Sequence, residues 1–161
     1  MTREIRIEIK WSLIYIIIFL IWMGIENITG LHGPRIEQHR FYTNLFALVV
    51  IVIYFLALRD KRNNYYNGYM TWQQGFLCGL IISVMVALFS PISQLIAHKI
   101  IAPGYFENAI NFGIRNGQNE ELLRTYYTLR SYIIQSFLST MSLCILTGAF
   151  VALILRRTPK V

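Results

Sequence analysis

The stretch that decides the fold is residues 71–97, TWQQGFLCGLIISVMVALFSPISQLIA, which contains no charged residue. A buried helix of a soluble protein rarely runs that far without a charge, whereas about 20 apolar residues cross a hydrocarbon core of about 30 Å. The stretch opens with a turn and a cap. Asn67-Gly68 is a tight-turn dipeptide, and Thr71 stands where a helix N-cap belongs. Pro91, in FSPIS, sits inside the run and predicts a kink.

Working outward, three more runs have the same character. Residues 11–25 are uncharged, and 13 of these 15 are hydrophobic. At 1.5 Å per residue they reach only about 22 Å, so this span must continue to about Leu31. Residues 41–58 and 131–155 are also uncharged. The expected spans are therefore about 11–31, 41–58, 71–97 and 131–155, in one membrane domain covering 1–161. The fold class is an all-α integral membrane protein, a four-transmembrane-helix bundle. The apolar run after Arg3, Arg6 and Lys10 is bulky and lacks a small-residue cleavage site, so it reads as a first span rather than a signal peptide.

Composition agrees. Of 161 residues, 55% are hydrophobic and only 14% charged, against about 25% charged in soluble domains. That excludes an ordinary soluble protein and a disordered one. The net charge is +7, but the basic residues flank apolar runs. They point to topology and anionic lipid, not nucleic acid. Nine of the 15 Lys and Arg lie in three short clusters: Arg3, Arg6 and Lys10; Arg59, Lys61 and Arg62; Arg156, Arg157 and Lys160. The other six are Arg35, Arg40, Lys99, Arg115, Arg124 and Arg130. Dense clusters stay cytoplasmic. Both termini are thus expected inside, in a bacterial inner membrane, with residues 32–40 and 98–130 facing out.

The long segment between spans three and four, about 104–130, has helical character. Tyr105, Phe106, Ala109, Ile110, Phe112 and Ile114 share one face, and Gly117 can end that helix. A second helix can start at Asn119, with Glu120 and Glu121 in its first turn, and continue into span four.

Two ladders of small residues recur every four positions. Gly75, Gly79, Ser83 and Ala87 lie on span three; Ser136, Thr140, Cys144, Gly148 and Ala152 lie on span four. Small residues let helix backbones approach closely in lipid. The ladders either pack the two spans together or form a homo-oligomer face.

Glu26 is the ionisable residue of most interest, about 22 Å beyond Trp11 along a core of roughly 30 Å. An intramembrane carboxylate is a functional hypothesis by default. Asn44, Gln94 and His98 are its candidate partners at the same level, with Asn27 on its own helix. The alternative is that span one ends there and the carboxylate meets headgroup water. His32, His39 and His98 also fall on the outer side. With Glu26, Glu37 and Glu107 they could form a metal or proton site, but no ligand spacing supports one and they read as interfacial. Aromatic residues at the span ends, Tyr105 and Tyr132 among them, read as interface belts. Cys78 and Cys144 lack CxxC or Cys/His spacing and read as small buried residues. No phosphate loop, GxSxG or HExxH pattern is present. No catalytic residue, metal or cofactor is assigned.

The segments EIKWSLIY (8–15), YTN (42–44), YNGYMTWQQGFLCGLIIS (66–83), FSPISQ (89–94), YFENAI (105–110) and SYIIQSF (131–137) occur in an order that resembles an uncharacterised bacterial family. Its members are small four-span inner-membrane proteins, known only as a domain of unknown function. The resemblance covers about residues 4–157 and implies a four-helix membrane domain. It implies no activity, substrate or catalytic residue. The leading expectation is a non-enzymatic packing or assembly subunit in the lipid bilayer, self-associating or binding another membrane protein. The alternative is a small transporter, channel or lipid-handling protein using an outer-leaflet polar site. A membrane-embedded enzyme is the least favoured reading.

Overall fold

A computed structural model describes residues 5–158. The expected positive clusters include Arg3 and Lys160, which lie outside the described residues. The chain is all-α: α1 (Arg6–Ile28), α2 (Ile36–Asn44), α3 (Phe46–Asn64), α4 (Trp72–Ile96), a π-helical turn (Ala97–Ile101), α5 (Tyr105–Arg115), α6 (Glu120–Tyr126) and α7 (Leu129–Leu155). Four helical stretches are long and apolar enough to cross a membrane: Arg6–Ile28, Ile36–Asn64, Trp72–Ile101 and Leu129–Leu155. The second is interrupted once, at Leu45, between α2 and α3.

Local chemistry explains the boundaries. Asn67 and Gly68 both adopt positive φ, 52° and 90°, and turn the chain between α3 and α4. Thr71 then caps α4 in a full capping box, accepting from the Gln74 amide while the Gln74 side chain accepts from the Thr71 amide. Helix α4 runs through Pro91 to Ile96. Asn119 caps α6 as its position suggests, but α6 does not continue into span four. It stops at Tyr126, and Thr128 caps α7 afresh by accepting from the Ser131 amide.

Helix α7 packs most extensively on α4, with α1 against α4 and α3 against α7. The two small-residue ladders meet inside this α4–α7 contact. A Cβ on Gly79 would lie 3.1 Å from the Gly148 Cα, and one on Gly75 would lie 3.0 Å from the Ala152 side chain. Gly75, Gly79, Ser83, Ala87, Cys144, Gly148 and Ala152 are buried. Ser136 and Thr140 are partly exposed. Dispersion between closely approaching backbones is the source of this contact, since lipid offers no hydrophobic drive between helices. Tyr54 of α3 completes it, its hydroxyl 2.9 Å from the Ser83 Oγ.

At the end of the bundle that carries both termini, Glu8 and Lys61 form a buried ion pair at 2.8 Å, their side chains 2% and 5% exposed. Lys61 also lies 4.0 Å from the centre of the Tyr65 ring. Asp60 binds Lys10 and accepts from the Trp11 indole. A two-residue antiparallel bridge joins Met70 to Arg157 through amide–carbonyl bonds of 2.9 and 2.8 Å. The turn between α3 and α4 and the segment after α7 are thereby tied together.

Candidate functional site

The opposite end holds the chemistry. Helix α1 ends in a Schellman motif: the Gly30 amide donates to the Asn27 carbonyl at 3.0 Å, and the Leu31 amide to the Glu26 carbonyl at 2.9 Å. Gly30 has φ +83°, which only glycine adopts at low cost. This reversal folds His32 back over the last turns of α1. After Pro34 the chain re-enters a helix, and His39, one turn into α2, reaches the same place.

Both imidazoles converge on one carboxylate oxygen. The Glu26 Oε2 lies 3.1 Å from His32 Nε2 and 3.6 Å from His39 Nε2. The other oxygen, Oε1, accepts from the Trp22 indole N–H at 2.7 Å. Glu26 is 1% exposed and His32 2%, so the carboxylate sits inside protein. A cleft of about 230 Å³ reaches it, lined by Trp22, Ile25, Glu26, Thr29, Leu31, Arg35, Gln38 and Tyr42.

Helix α5 roofs the cluster. Its Asn108 side chain donates to the His32 carbonyl at 2.8 Å, and Asn27 of α1 donates to the Ile101 carbonyl at 2.8 Å. Tyr105, at the start of α5, is the hub: its ring centre is 5.1 Å from each of His32, His39 and His98. Its hydroxyl bonds Tyr132 of α7 at 2.7 Å. Burial pushes the Tyr105 hydroxyl up to about 12, so it is a neutral phenol at physiological pH. His98 lies on the π-helical turn, its ring 4.5 Å from Phe106. Such turns recur at functional sites because the inserted residue redirects a side chain. Among the described residues, His32 Nδ1 and His98 Nδ1 are buried without a hydrogen-bond partner.

The four residues expected to form one polar site are not all brought together. Glu26 is buried, as the functional reading required, and His98 belongs to the same aromatic–imidazole cluster through Tyr105. Asn44 is exposed and donates to the Arg40 carbonyl of its own helix. It is no partner of Glu26, because α2 presents His39 there instead. Gln94 lies deeper, beside a cavity of about 20 Å³ shared with Tyr15, Ser90, Ser93 and Thr140, space for about one water. The sequence offers His32 and His39 beside Glu26 but reads them as interfacial; the partners missed from sequence are Trp22 and Tyr105. Trp22 stands one turn before Glu26, a spacing visible in sequence. Tyr105 and Tyr132 are not interface-belt residues but part of the packed cluster. The expectation of no metal ligands rested on the spacing of His32 and His39. The fold supplies the convergence that spacing lacks, bringing one donor atom each from Glu26, His32 and His39 within 4.8 Å of one another.

A family model described as a protein of unknown function (DUF4199) matches residues 10–157. No curated protein and no solved structure matches the chain.

Proposed function

The chain belongs to this family of unknown function, DUF4199, and from that premise we propose that it is a bacterial inner-membrane protein that binds a small polar ligand or ion at the Glu26 centre. Both termini are cytoplasmic in this reading, and the α5 end faces outward. The proposal takes up the transport and ligand-handling class in preference to the assembly subunit. The observation that carries it is the burial of Glu26 with His32, His39 and Trp22 around it. A carboxylate held this way at membrane depth is expensive and is retained where it has work to do. The small-residue ladders, which motivated the assembly reading, are largely taken up by the contact between α4 and α7, which removes much of the support they lent to a face for a second copy.

The test has two parts. Gln38→Cys places a thiol at the mouth of the cleft, while the native Cys78 and Cys144 are buried. A membrane-impermeant maleimide added to intact cells should label it. Labelling only after lysis would reverse the topology and defeat the reading. In detergent, a panel of small ions and polar metabolites should contain a member that raises the melting temperature of the parent but not of Glu26→Gln. A panel without effect would return precedence to the assembly subunit, to be pursued by crosslinking.

A further inference from the structure

We propose that Glu26, His32 and His39 form a binding site for a divalent transition metal, with zinc the reference ion; this rests on the reading of the Glu26 centre as a ligand site and names its ligand class.

The first argument is the donor set. Two imidazole nitrogens and one carboxylate oxygen suit zinc and its first-row neighbours, and three protein ligands leave a fourth position for water or a passing group. Hard ions such as calcium and magnesium prefer all-oxygen shells. The second argument is distance. Donors 2.0–2.1 Å from a tetrahedral ion stand roughly 3.3 Å from one another. The separations from Glu26 Oε2, 3.1 and 3.6 Å, bracket that value, and all three donor atoms lie within 4.8 Å of one another.

The third argument is preorganisation. The Trp22 N–H engages Oε1 and leaves Oε2 as the oxygen facing both rings. Asn108 fixes the His32 backbone, and Tyr105 packs against both rings. Burial also favours a cation here. Glu26 carries a negative charge away from water, and an ion of charge +2 coordinated by it and two neutral imidazoles stabilises that charge more strongly than hydrogen bonds do. The fourth argument is access. Glu26 forms part of the wall of a cleft of about 230 Å³, beside Trp22, Gln38 and Tyr42, which brings open space next to the site.

The experiment uses the full chain, purified without a polyhistidine tag in detergent and stripped with a chelator. Zinc is titrated and counted by elemental analysis, and cobalt(II) is titrated in parallel and followed by its visible d–d bands. The expected result is one ion per chain with a nitrogen/oxygen cobalt spectrum. Loss of an outer-shell partner already weakens metal sites 10–100-fold, so Glu26→Gln or His32→Ala should weaken binding by more than about 100-fold. Those residues are buried, so His39→Gln, on a partly exposed side chain, gives the same readout with less risk to folding. Glu37→Gln, on the exposed side of α2, should bind like the parent. Binding that survives His39→Gln, or an ion that follows no variant of the three, would overturn the assignment as adventitious. If neither metal binds while another ligand stabilises the parent and not Glu26→Gln, the metal inference falls and the ligand site stands. If nothing binds, both fall.

Discussion

At the scale of single residues, the two ends of the bundle solve the burial of charge differently. Glu8 and Lys61 pair at 2.8 Å through one carboxylate oxygen, the other being buried without a hydrogen-bond partner among the described residues. Removing one partner of such a pair strands the other and costs about 3–5 kcal/mol, while replacing both by uncharged groups of similar volume is close to neutral. Glu8→Ala should therefore lower the unfolding midpoint in mixed micelles sharply, and Glu8→Gln combined with Lys61→Met should recover most of the loss. An additive double variant would mean the two charges are not coupled. Glu26 instead has Trp22, whose N–H is its one hydrogen-bond donor of unambiguous protonation. Trp22→Phe keeps the ring and deletes that donor, so it should destabilise by about 1–3 kcal/mol, as for a hydrogen bond to a charged group. Glu26 stood out in the sequence because an acid late in an apolar run is costly wherever it ends up. Its partners did not, because they depend on a positive φ at Gly30 that carries His32 back over α1. Nothing in the spacing of His32 and His39 announces that turn.

At the scale of elements, the readings that survived rest on backbone chemistry. The Asn67-Gly68 turn, the Thr71 cap and the ladders follow from what glycine, threonine and small side chains permit locally. Thr71→Ala should cost about 1 kcal/mol, seen as a lower melting temperature with unchanged helix content. The ladders allow a sharper test. Gly79→Leu must push a side chain into the Gly148 backbone 3.1 Å away, and overpacking of this kind costs about 1–3 kcal/mol or more. It should lower stability, measured by circular dichroism on heating. A change confined to oligomeric state would contradict the packing described. Boundaries that depend on a competing cap were not legible. Asn119 and Thr128 are both good N-caps, and the chain uses each, where the simplest pattern drew one helix. The break at Leu45 has no marker residue in the sequence.

At the scale of the whole molecule, four apolar stretches were visible in composition alone, and the folding of α5 onto the histidines was not. The amphipathic face of α5 was evident, with Tyr105, Ala109 and Ile110 on it and now buried. What that face covers depends on three contacts between distant segments: Asn108 to His32, Asn27 to Ile101 and Tyr105 to Tyr132. Asn108→Ala removes one of them. It should raise amide exchange across residues 102–118 and leave the α4–α7 contact unchanged.

The Met70–Arg157 bridge has a further consequence. It closes a staple across the end where the chain begins and finishes, beside the Glu8–Lys61 pair and the capped start of α4. The other end carries Pro91, the π-helical turn and a roof attached by ring packing and side-chain hydrogen bonds. The register between the α3–α4 turn and the segment after α7 is therefore set by backbone bonds, whereas at the histidine end it is set by side chains.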